Sequence, residues 1–162
     1  MVIAVVSDTH LPRGRRQIPD ACLERMREAD LILHGGDFMT ASVLHEIEQL
    51  GPPVAGIYGN ADDEELRRVL PARRIVEAGG TRIAMVHNGG PAKRRFERMR
   101  ERFPDADAVV FGHSHIPLHE QREGFQIFNP GSPTDRRRQP RHTMGIARAE
   151  DGRVVFEHVM LD

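Results

Sequence analysis

Short apolar runs alternate with amphipathic stretches along most of this chain, and the run boundaries carry glycine, proline or an ionisable group. "VIAVVS" at residues 2–7 predicts a buried strand. "PDACLERMREA" follows with Ala21, Leu23, Met26 and Ala29 at helical spacing, and Pro19 suits a first helical turn. "LILHGGD" is a second strand, stopped at Gly35-Gly36. "TASVLHEIEQLG" is a helix with a hydroxyl residue at its start and Gly51 at its end. "PVAGIYGN" predicts a third strand, and "DDEELRRVL" a short helix with acids in its first turn, where the helix dipole favours them.

The pattern then changes. "RRIVEAGGTRIAMVHNGG" reads as two strands joined at Gly79-Gly80, and "AKRRFERMRERF" as a helix with a basic outer face built around Phe96 and Met99. "DAVVFGHSH" is a further strand. Two more hairpins follow, in "PLHEQREGFQIFNPGS" and in "TMGIARAEDGRVVFEHVM", the last turning at Asp151-Gly152. Strand–helix units followed by antiparallel hairpins predict an α/β fold of mixed sheets with helices outside. "GSPTDRRRQPRH" between the last hairpins reads as a mobile basic loop, and residues 1–162 as one domain.

Composition narrows the picture. Apolar residues make up 39%, but aromatics only 5% with no tryptophan, so the core must be aliphatic. The charge of −1 excludes a nucleic-acid partner held by bulk charge. The lone Cys22 excludes an internal disulfide and a cysteine metal cluster, and suits the cytoplasm. No apolar run reaches the roughly 18 residues of a membrane span.

In open α/β sheets, chemistry gathers beyond the carboxyl ends of the strands. Those ends carry Asp8 and His10, then Asp37, then Asn60, then His87, and finally His113 and His115. Residues two apart in extended chain point the same way, so both rings of "GHSH" are expected to face one spot. Seven nitrogen and oxygen ligands with no thiolate suit two divalent ions sharing a carboxylate. Such a pair grips a phosphoryl group, generates a hydroxide and stabilises both the entering and leaving oxygens. Only Asp8 and Asp37 bring negative charge, so a loaded site stays cationic, as an anionic substrate needs.

The ordered set "SDTH", "HGGD", "YGNAD", "VHNGG", "FGHSH", with "FNPGSP" after it, resembles the calcineurin-like metallophosphoesterases. Within them it is most similar to the small YfcE-type phosphodiesterases, which share their fold with the retromer scaffold subunit Vps29. The resemblance implies a four-layer α/β/β/α sandwich of two mixed sheets. It implies one ion on Asp8, His10, Asp37 and His115, and a second on Asp37, Asn60, His87 and His113. Asp37, Asn60 and His87 are then the catalytic residues, as metal holders rather than proton carriers. The expected activity is hydrolysis of a small phosphate diester. A phosphomonoesterase with the same site and a Vps29-like binding scaffold are the alternatives. Manganese is the first expectation for the metals, with nickel, iron, zinc or magnesium also suited.

One position departs from the pattern. Many family members have a histidine after the Gly-Asn pair, and the small phosphodiesterases usually have a cysteine; this chain has Ala61, which cannot donate a proton. Beside the site, Arg13 and Arg15 of "RGRR" are candidates to hold the substrate phosphate, and His34 to orient a metal ligand. Late hairpin edges leave room for pairing into a homo-oligomer.

Overall fold

The computed structural model describes residues 1–162. Its first half runs β1 (Val2–Val6), α1 (Asp20–Glu28), β2 (Leu31–His34), α2 (Ala41–Glu48), β3 (Val54–Gly56) and α3 (Glu64–Val69). The second half runs β4 (Arg73–Ala78), β5 (Thr81–Asn88), α4 (Arg95–Arg102), β6 (Ala108–Gly112), β7 (Leu118–Arg122) and β8 (Phe125–Asn129). It ends in β9 (Thr143–Glu150) and β10 (Arg153–Met160). One sheet has the order β10-β9-β1-β2-β3 and the other β4-β5-β6-β8-β7. Both are mixed. β1, β2 and β3 are parallel, as are β5, β6 and β8, and antiparallel strands complete each sheet.

Strand alternation builds four layers. Ile3 and Val5 of β1 face the second sheet and meet Met85, Val110 and Phe128 there. Ala4 and Val6, one residue out of phase, face Met26 of α1 and Val43 and Ile47 of α2. On the far side, Ala84, Val109 and Phe111 pack under Phe96 and Met99 of α4. Strands buried on both faces need continuous apolar runs, which is why these elements were legible. Phe128 is fully buried between the sheets and stacks on Phe156 at 4.7 Å. Its replacement by alanine should cost about 3–5 kcal/mol.

Two expectations are corrected. The third strand covers Val54–Gly56 only: the Ile57 amide makes the last bond to β2, at the His34 carbonyl, and the Tyr58 amide turns to Pro71. The segment read as a mobile loop is tied down in its first part: Gly131 to Thr134 are buried, and only Arg136 to Arg138 and their surroundings lie on the surface. No helix is long and apolar enough to cross a membrane.

Candidate metal centre

The loops after β1 and β2 run side by side, and this brings the first acids together. The amides of Asp8, His10 and Leu11 donate to the carbonyls of Gly36, Asp37 and Phe38 at 2.9, 3.0 and 2.9 Å. His87 arrives from the second sheet, inside a bulge where β5 has an extra residue against β6. His113 and His115 follow the end of β6. All seven predicted residues converge on one edge where the sheets meet. Asp8, His10 and His115 form one close group, and Asp37, His87 and His113 another. Asn60 joins the second, its Oδ1 at 3.0 Å from His87 Nε2 and 2.9 Å from His113 Nδ1.

The reason given for the histidine pair fails. β6 stops at Gly112, and neither His113 nor His115 is extended. Their φ angles are 69° and 62°, and Asp8, His10 and Asp37 are left-handed as well, at 58°, 46° and 61°. Non-glycine residues take this conformation at a cost of about 1–3 kcal/mol each. The glycine before the pair has a separate role: a Cβ on Gly112 would collide with Ser7 Oγ and Asp8 Oδ2. The missing side chain lets β6 close on the end of β1.

Each acid has one oxygen secured and one presented. Asp8 Oδ2 accepts from Ser7 Oγ at 2.8 Å and the His113 amide at 3.0 Å, whereas Oδ1 is buried without a partner. Asp37 Oδ1 accepts from the Ala61 amide at 2.8 Å. Its Oδ2 stands 3.3 Å from His10 Nε2 and 3.2 Å from His87 Nε2, between the two groups.

The histidines complete the pattern. A carbonyl only accepts, so His87 Nδ1 donates to Gly35 at 2.8 Å and His115 Nδ1 donates to Asp135 at 2.5 Å. In the neutral rings both Nε2 lone pairs then point at acid oxygens, with His115 Nε2 3.5 Å from Asp8 Oδ1. Acceptors facing acceptors in a buried site require positive charge between them. Burial lowers the His10 pKa, but Asp37 and Asp8 outweigh it and lift it to about 9. His87 is raised by the same neighbours against the same burial. Burial raises the Asp37 carboxyl, yet His10 and His87 bring it below the usual carboxylate range. The acids thus draw cations here, whether protons or metal ions. Asp8 Oδ1, His10 Nε2 and His115 Nε2 are the buried side-chain atoms left without hydrogen bonds, as a cation site needs. The residues fit divalent metal.

Residues 1–152 match the calcineurin-like phosphoesterase superfamily domain. This chain belongs to that superfamily. A probable metallophosphoesterase of Methanothermobacter thermautotrophicus is 35% identical over 138 residues, covering 83% of this chain and 78% of that protein. A phosphodiesterase of Methanocaldococcus jannaschii is 26% identical over 144 residues, covering 81% and 83%. The fold is that of wild-type Vps29 from Entamoeba histolytica in complex with zinc, at a TM-score of 0.78 and 20% identity with both chains fully covered. The four-layer sandwich is therefore the metallophosphoesterase fold.

This phosphoesterase-family site has supports that the sequence did not reveal. Asp62, read as one of the helix acids, turns away from α3 and accepts from the Asp37, Met39 and Gly59 amides at 2.9, 2.8 and 2.7 Å. Asp63 caps the helix instead, accepting from Leu66. Ser132 and Thr134 donate to the Asp8 and Thr9 carbonyls at 2.8 and 2.6 Å. Asn129 donates to Gly112 and Ser114 at 3.1 Å. "FNPGSP" was the available signal for Asn129 and Ser132. His34 accepts from the Gly36 amide and faces Thr9 Oγ1, and burial drops its pKa to about 3. It stays neutral and holds the loop that carries Asp37. The guanidinium groups of Arg13 and Arg15 are exposed and bonded to nothing in the protein. Arg16 is the ordered arginine of that run, 3.5 Å from Asp135 and 3.4 Å from the His10 carbonyl.

Proposed function

We propose that this phosphoesterase-family chain is a metal-dependent phosphodiesterase with a dinuclear site. One ion sits on Asp8, His10, Asp37 and His115 and the other on Asp37, Asn60, His87 and His113. The observation that carries this reading is the place of Asp37 Oδ2, bonded to no backbone amide and nearly equidistant from His10 and His87. Divalent ions, manganese foremost, supply Lewis acidity toward phosphoryl oxygens and lower the pKa of a water to give a hydroxide nucleophile. The protein's own part is to fix geometry. The Gly35 and Asp135 carbonyls lock two ring tautomers, and Asp62 holds the backbone that aims Asp37.

Hydrolysis forms a P–O bond to the water oxygen and breaks the P–O bond to the leaving alcohol. One proton goes to the leaving alkoxide, and the other stays on the monoester or passes to solvent. Ala61 offers no proton to the leaving group, so good leaving groups are favoured. Ala61→His should raise turnover of poor leaving groups by about 100-fold, the lower end of the range of general acid catalysis, and flatten the dependence on leaving-group pKa. An unchanged dependence would show that this position takes no part.

The main test is hydrolysis of bis-p-nitrophenyl phosphate beside p-nitrophenyl phosphate by protein stripped of metal and resupplied with manganese, nickel, zinc or magnesium. Metal-restored diester cleavage, absent in Asp37→Asn, supports the proposal. Monoester cleavage alone reassigns the site to a phosphatase. Silence on both with metal bound moves the protein to the scaffold class.

A further inference from the structure

The second ligand group opens into a cleft of about 570 Å³ that also contains Arg67, Arg73 and Arg102. No carboxylate lines this cleft. The arginines come from three elements: α3, the start of β4 and the end of α4. Arg16, Arg68, Arg82, Arg100, Arg122 and Arg148 all pair with acids within 4.0 Å, and these three do not. Arg67 is held in place from behind, donating Nε to the Asp62 carbonyl and Nη2 to the Asn60 carbonyl, both at 3.1 Å. Its Nη1 has no protein acceptor. Arg73 and Arg102 also line an adjoining depression with Arg74 and Asp105, so arginines outnumber acids there as well.

Arg67, Arg73 and Arg102 are exposed and face no acid across the cleft, so their guanidinium groups stay available to an anion that comes with the substrate. The scissile phosphate is already accounted for by the metals. We infer that this cleft is a subsite for a second phosphate, and that the substrate is a phosphate ester bearing another phosphate group on the retained or leaving side. Guanidinium forks match phosphate oxygens in pairs, and Arg67 is pre-set by its two backbone bonds. The inference rests on the phosphodiesterase reading for its reaction, but not for its binding.

Calorimetric titration of the full chain, with and without manganese, compares thymidine 3′,5′-bisphosphate with thymidine 5′-monophosphate. The bisphosphate should bind at least about tenfold tighter, as one charge-assisted contact provides. The double variant Arg73→Gln/Arg102→Gln should lose that advantage, while Arg100→Gln, whose side chain pairs with Glu123, should keep it. In parallel, thymidine 5′-(p-nitrophenyl phosphate) and its 3′-phosphorylated form are offered as substrates, and the second should have the higher kcat/KM. Equal affinities in the unaltered protein, or an advantage that survives the double variant, overturns the subsite even if both esters are cleaved. A bisphosphate preference abolished by the double variant, with neither ester cleaved, supports the subsite and overturns the phosphodiesterase reading instead.

Discussion

The two ligand groups differ in depth. Asp8, His10 and His115 are 0, 7 and 1% exposed, and their outward atoms meet one another, Asp37 and His87. In the second group Asp37 and His87 are buried, but His113 is half-buried and Asn60 exposed at the mouth of the arginine-lined cleft. The support differs too. Ser7 and the 131–135 segment brace the inner group, whereas Asp62 and Arg67 brace the outer one. On the two-ion proposal, a deep group held by buried bonds suits a tightly kept ion, and an open group beside exposed arginines suits the ion that meets substrate.

That comparison can be broken most decisively at the residue the groups share. Asp37→Asn should empty both groups of metal and abolish hydrolysis, a larger loss than any other single ligand change, read by metal analysis and diester turnover. Retention of one ion at full affinity would show that Asp37 serves a single group. Next comes Asp62→Ala, which strands three backbone amides and should cost at least about 3 kcal/mol of stability. In denaturant melts of metal-free protein it should exceed Ser7→Ala, which removes one donor to Asp8. In metal titrations each should weaken affinity by about 10–100-fold, Ser7→Ala at the inner group and Asp62→Ala at both, because Asp62 aims the shared Asp37.

A finer contrast lies in backbone strain. His113→Gly relieves a left-handed φ of 69° at a half-buried position. It should raise the stability of metal-free protein by about 1 kcal/mol while removing the outer ion. A fall in stability would mean that the ring's bond to Asn60 outweighs the strain. The smallest effect is a control outside both groups. Burial holds the His158 pKa below its ordinary 6.5, with Nε2 donating to the Asn129 carbonyl. Its contribution is complete above that value and is lost as acid protonates the unfolded chain first. Thermal melts at pH 5 and 7.5 should show a smaller acid-side loss in His158→Phe, with metal affinity unchanged.

Much of this was legible before any coordinates. Ile3 to Val6 and Val109 to Phe111 are apolar without a break because both faces of their strands are covered, and such runs announce parallel α/β sheets. The ligand residues stood out because each follows an apolar run. Why they converge was misread. An i, i+2 argument placed His113 and His115 together in extended chain, but both lie past the strand in left-handed turns, a conformation set by contacts rather than by local preference. Asp62 looked like a helix acid because sequence separation hides its bonds to Asp37, 25 residues away. Ser132 meets Asp8 across 124 residues, beyond any local pattern.

The sequence by itself determined the order of elements, the aliphatic two-sided core and the residue types at the strand ends, because those follow from periodicity and from donor chemistry. Tertiary structure alone decided which oxygen of each acid is free, which ring nitrogens of His87 and His115 are held by carbonyls, and which arginines stay unpaired. Those depend on partners brought from distant chain, and hydrogen bonds and ion pairs act only across a few ångströms.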